Sequence, residues 1–149
     1  FYNLDRAIGT HKYSGGKFHK NIVVRNNNIK KTRSDAIRVM NWSNSKIENN
    51  TIKDVAKGKK NYRGILASGA VNPTYRKNTF EKVARPMQFM PWKNIGPGSE
   101  YTVTYNKLSK ANKDNLADNK AINTTENFIR INRKYNVFDK DTEKIYLKP

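Results

Sequence analysis

The chain has 149 residues, 36% of them hydrophobic, with thirty Lys and Arg against twelve Asp and Glu and a formal charge of +18. It contains no cysteine, which excludes a disulfide framework, a thiolate metal site and a cysteine nucleophile. No run of about 18 apolar residues occurs, so no helical membrane span is expected, and so strong a positive charge points to a polyanionic partner.

Taken in chain order, the predicted elements recur. Ala7-Ile8-Gly9-Thr10 is a short strand, Ile22 to Val24 is the next, and Val24-Arg25-Asn26-Asn27-Asn28-Ile29 carries the pattern apolar-x-x-Asn-x-apolar. After the variable connection Lys30 to Asp35 comes the strand Ala36 to Met40, then Ser45 to Ile47 and the second hexad, Ile47-Glu48-Asn49-Asn50-Thr51-Ile52. The connection from Lys53 to Arg63, with Lys57, Lys59 and Lys60, leads to Gly64 to Ser68, and Thr74 to Tyr75 opens the third hexad, Tyr75-Arg76-Lys77-Asn78-Thr79-Phe80. Pro86 to Met90, the Gly96-Pro97-Gly98 turn and Thr102 to Val103 lead to the fourth, Val103-Thr104-Tyr105-Asn106-Lys107-Leu108. Ser109 is placed to cap a short helix reaching Leu116, and Phe128 to Ile131 reads as the fifth strand of the Ala7 series.

The hexads are spaced 23, 28 and 28 residues from Asn to Asn, the length of one supersecondary unit, which indicates a solenoid. Three short strands per turn, stacked in parallel, make a parallel β-helix of about four to five coils over residues 1–131, and the decaying pattern of 132–149 reads as a C-terminal cap. The start at Phe1 reads as the cut end of a longer solenoid. Asn27, Asn50, Asn78 and Asn106 are expected to form a structural ladder, each taking the left-handed conformation of a corner and passing amide hydrogen bonds between coils. Period-2 alternation puts Ile8, Ile37, Ile65, Met87 and Ile129 inward and Gly9, Arg38, Leu66, Gln88 and Arg130 outward in one column.

Those repeats resemble the right-handed parallel β-helix proteins of the pectate-lyase-like superfamily, over roughly residues 1–132. The segments Asp5 to His11 and Ala36 to Trp42 look most like β-helix regions of Gram-positive cell-surface proteins. The resemblance implies a secreted or cell-surface bacterial protein whose ligand lies along the sheet after the Asn turn. On this sequence that sheet bears Gly9, Arg38, Leu66, Gln88 and Arg130 outward, flanked by His11, Arg63, Arg85, Trp42 and Trp92, with Lys59 and Lys60 on the connection before it.

Cations for acidic groups and flat indoles for sugar rings make this a groove for acidic polysaccharide or another polyanion, or for a host matrix protein. Corner packing is the other reading of the two Trp residues, and pairing with carboxylates the other reading of Arg63 and Arg85. The alternative function is a polysaccharide lyase or glycoside hydrolase, with His11, Arg38, Asp5 and Asp35 as the candidate catalytic groups. The scattered acids leave binding as the leading reading. No set of His, Asp and Glu at metal-ligand spacing is found, no cofactor is expected, and no motif for specific nucleic-acid recognition occurs.

Overall fold

The computed structural model describes residues 1–10, 17–59, 61–90, 99–109, 122–124, 129–134 and 137–138. It is all-β, built from parallel sheets. The first sheet stacks β1 (Ile8–Gly9), β5 (Ile37–Met40), β9 (Arg63–Ser68), β12 (Arg85–Met90) and β15 (Ile122–Thr124). The second stacks β3 (Val23–Arg25), β7 (Lys46–Glu48), β10 (Thr74–Arg76), β13 (Ser99–Thr104) and β16 (Ile129–Lys134). The third stacks β4 (Asn28–Thr32), β8 (Thr51–Val55), β11 (Thr79–Glu81), β14 (Lys107–Ser109) and β17 (Val137–Phe138). A small two-stranded sheet joins β2 (His19–Lys20) to β6 (Trp42–Ser43). The chain thus visits the three main sheets in the same cyclic order five times, and each strand pairs with its counterpart one circuit away.

Alternation decides what each strand buries. Ile37, Ile65 and Met87 share one register of the first sheet, and Val39, Ala67 and Phe89 share the next inward one. The second sheet contributes Val24, Ile47, Tyr75 and Val103, and the third Ile29, Ile52 and Phe80, all buried in one core. The rings of Phe89, Tyr75 and Tyr101 form a triangle, with Phe89 5.3 Å from Tyr75 and 4.9 Å from Tyr101 and the two tyrosines 6.1 Å apart. At the narrow start of β9, a methyl on Gly64 would come within 2.7 Å of both the Phe80 ring and the Pro86 carbonyl oxygen. Gly64→Ala therefore costs about 1–3 kcal/mol through overpacking, to be read as a lower midpoint in urea unfolding.

The Asn ladder forms, but not for one of the expected reasons. Asn50 Oδ1 accepts from the backbone N–H and the side-chain amide of Asn27, both at 3.0 Å. Asn78 does the same for Asn50, at 3.1 and 3.0 Å, and Asn106 for Asn78, at 2.9 and 3.1 Å. Each amide nitrogen also donates to a carbonyl of the preceding circuit: Asn50 to Val24, Asn78 to Ile47 and Asn106 to Tyr75. The left-handed residue of this corner is the one before the ladder, namely Asn26, Asn49, Lys77 and Tyr105, with φ between 53° and 59°. The ladder residue is thereby left free to point its amide inward, and the side chain at the left-handed position points out, which explains why Lys and Tyr serve there as well as Asn.

One expectation at the C-terminal end is corrected. Ile129 to Lys134 is a strand of the second sheet, paired with Ser99–Thr104, and the fifth strand of the first sheet is Ile122–Thr124. Alternation in Phe128 to Ile131 specifies a two-faced strand but not which sheet it joins. β16 runs across residue 131, and β17 continues the third sheet to Phe138. Ser109 ends β14; the helix it was expected to cap and residues 139–149 of the expected cap lie outside the described residues.

Candidate functional site

The sheet on which the groove was expected gathers part of it. Arg38 lies in register with Gly9 and Leu66, Gln88 with Leu66, and Arg85 with Arg63. All four polar residues are half-buried. Arg63 is already committed: its Nε donates to Gln88 Oε1, its Nη1 donates to the Asn61 carbonyl at 2.8 Å and lies 3.5 Å from Asp35 Oδ1, and its backbone N–H donates to that same oxygen at 2.8 Å. The pairing alternative holds for this arginine. Leu66, between Arg38 and Gln88, is itself buried, so the column is not a continuous open wall.

Arg130 does not join that wall. It stands in register with Glu100 on the second sheet, and the position it was expected to hold beside Gln88 belongs to Asn123. Trp42 is 2% exposed and its indole N–H donates to Thr10 Oγ1 at 2.9 Å, so it serves packing and offers no face to a sugar ring. Asp35 is buried and held by Arg63, while Asp5 is exposed and accepts from the Ser34 hydroxyl at 3.2 Å. His11, Lys60 and Trp92 lie outside the described residues.

A different cluster assembles at the corner between the third and first sheets. The two connections leaving β4 and β8 pass this corner one above the other, and the N-terminal residues lie beside them, with Tyr2 bridged to Lys30. Together they form an open-mouthed cavity of about 540 Å³ lined by Asn3, Lys31, Thr32, Arg33, Asp54, Ala56, Lys57 and Lys59. Four cations thus face one carboxylate. Among the described residues three other acids are ion-paired across neighbouring circuits: Glu48 with Arg76 at 3.0 Å, Glu81 with Lys53 at 3.1 Å, and Asp35 with Arg63. Lys31, Arg33, Lys57 and Lys59 are all exposed. Lys31 donates to the Tyr2 hydroxyl at 2.9 Å, and that bond holds its ammonium pKa above the ordinary value and lowers that of the phenol.

The backbone around the cavity is unusual. Lys31 and Asp54 occupy equivalent corner positions with φ of 59° and 56°, and Lys82 repeats the conformation one circuit on. Beyond that shared corner, Ala56, Lys57 and Gly58 are left-handed in succession, at 48°, 54° and 73°, a turn closed by the Lys59 N–H donating to the Ala56 carbonyl at 3.1 Å. A left-handed residue with a Cβ costs roughly 1–2 kcal/mol, and such strain persists where surrounding structure enforces it, often at sites of binding. Lys57→Gly is accordingly expected to raise stability by roughly 0.5–1 kcal/mol, the relief of strain less the added freedom of the unfolded chain. Urea unfolding of the variant, paired with binding to dextran sulfate, checks it: the midpoint rises while affinity falls.

Sequence reading singled out both connections as variable and one of them as lysine-rich, but not that they share a cavity, because Lys31 and Arg33 are 24 or more residues from Lys57. The 23-residue interval from Asn27 to Asn50, which stacks β4 on β8, was the available signal. Among the described residues no group of three His, Asp or Glu residues is arranged to hold a metal ion, and no helix is long and apolar enough to cross a membrane. No protein-family model, curated protein or solved structure matches this chain.

Proposed function

We propose that the chain is a right-handed parallel β-helix module of the pectate-lyase-like kind, secreted or held at a bacterial cell surface, that binds acidic polysaccharide or an acidic host matrix component through its basic surface. The observation that carries this reading is the cavity where Lys31, Arg33, Lys57 and Lys59 meet with only Asp54 against them. Capture is electrostatic and long-ranged, because a formal charge of +18 raises the local concentration of any polyanion before contact. Screening shortens that reach to about 8 Å at physiological ionic strength, so affinity falls with salt. Stacked parallel strands hold the cations on a fixed frame, which limits the ordering cost of binding.

The cleaving alternative lacks a comparable observation, since Asp35 is occupied by Arg63. The test is a panel of dextran sulfate, alginate, polygalacturonate and neutral dextran, with absorbance followed for unsaturated uronate. The reading expects salt-sensitive binding to acidic polymers and none to neutral dextran. Equal binding to neutral dextran, or growth of the uronate band, would reject it in favour of neutral-sugar recognition or lysis.

A further inference from the structure

We infer, building on the polyanion-binding reading above, that the corner cavity is a subsite for a tetrahedral oxyanion ester, a phosphate or sulfate carried on a sugar, in preference to a uronate carboxylate. The charge count gives the first reason. Three positive charges remain uncompensated around one cavity once Asp54 is set against the four cations. A uronate brings a single negative charge in one plane, whereas a phosphate monoester brings about −1.5 to −2 at neutral pH and three outward oxygens.

Donor geometry gives the second. Planar carboxylates are matched best by the paired N–H groups of a guanidinium, but Arg33 is the only guanidinium here and the other three cations are ammoniums, compact point charges with rotatable donors. They arrive from two circuits, Lys31 near the end of β4 and Arg33 just after it, Lys57 and Lys59 after β8, so they can surround a group that displays oxygens in several directions. The left-handed turn at Ala56, Lys57 and Gly58 is what brings the second pair to the cavity.

Size gives the third. About 540 Å³ lies within the range of pockets that enclose ring-bearing ligands and is far more than a bare ion needs. Asn3 adds an exposed amide for a sugar hydroxyl. The ester supplies charge and the ring fills the remaining space.

Isothermal titration with glucose 6-phosphate, glucose 6-sulfate and glucuronate at one fixed ionic strength tests this. The expected order is phosphate tightest, then sulfate, with glucuronate weaker than the phosphate by about ten-fold or more, and a rank that puts sulfate first would assign the site to sulfate esters. Lys57→Gln with Lys59→Gln should weaken glucose 6-phosphate by about ten-fold, while Lys30→Gln, on β4 but outside the cavity, should change it less than about two-fold. Glucuronate binding as tightly as the phosphate, an unchanged double variant, or no binding of any of the three sugars by a protein that still binds acidic polymers would overturn the subsite and leave the broader reading standing. Failure to bind any acidic polymer would instead overturn that reading.

Discussion

Asn78→Ala lowers the unfolding free energy by about 3–4 kcal/mol, whereas Asn27→Ala lowers it by only about 1 kcal/mol. The difference follows from position in the ladder. Asn78 is fully buried; its Oδ1 is the acceptor for the Asn50 backbone N–H and side-chain amide, and its Nδ2 donates to the Ile47 carbonyl and to Asn106 Oδ1. Alanine at this position removes four hydrogen bonds and leaves a buried N–H with nothing to bind, a loss of roughly 1–3 kcal/mol for that group alone. Asn27 is half-buried at the first step of the ladder, and water can replace what its amide gives up. Urea unfolding of the two variants decides the matter. Equal losses at the two positions would mean that the ladder is not a graded, buried network.

Stability is expected to fall steeply above pH 10, and Tyr75→Phe to remove half of the tyrosine share of that fall. Burial raises the phenol of Tyr75 well above its ordinary value, and burial raises that of Tyr101 as well, whose hydroxyl donates to the Ala70 carbonyl at 2.9 Å. Both groups are therefore neutral in the folded chain at pH values where an unfolded tyrosine ionises. A raised folded pKa contributes stability that is complete below about pH 10, the unfolded value, and is lost as pH climbs from there toward the folded value. The loss is about 1.4 kcal/mol per pH unit for each tyrosine. Tyr75 adds a second effect, because its hydroxyl has no hydrogen-bond partner in the core. Tyr75→Phe should thus stabilise the protein by about 1 kcal/mol near pH 8 and by about 2 kcal/mol near pH 11. Denaturant unfolding at those two pH values measures it, and an advantage that does not grow with pH would show that Tyr75 ionises freely in the folded state.

The parallel stacking was legible because the core-forming signal is local and repeated. Each hexad places an apolar residue, an inward amide and a second apolar residue at fixed spacing, and a 28-residue interval then sets the register of whole circuits. The fifth circuit escaped because its hexad, Arg133-Lys134-Tyr135-Asn136-Val137-Phe138, begins with a charged residue where the others begin with an apolar one. With that hexad unrecognised, Ile129 to Lys134 was assigned one sheet too early, and Arg130 went with it. Trp42 shows a different limit. Its spacing after the strand is compatible with either an exposed platform or a buried corner, and only the Thr10 hydroxyl on the neighbouring circuit decides between them. The cavity was half legible: the connections were visible as variable and basic, but their proximity depends on vertical stacking and on three successive left-handed residues that no propensity at Ala56 or Lys57 announces.

The proposed function rests on the corner cavity. The most direct test is the salt dependence of dextran sulfate binding by the natural chain and by a variant with Lys31→Gln, Arg33→Gln, Lys57→Gln and Lys59→Gln. Counterion release predicts that removing four contacting cations lowers the slope of log affinity against log salt by about 3 and costs at least about ten-fold in affinity at low salt. A variant that keeps the slope and the affinity of the natural chain would show that polyanions bind elsewhere on the surface, and would contradict the assignment of this corner as the site.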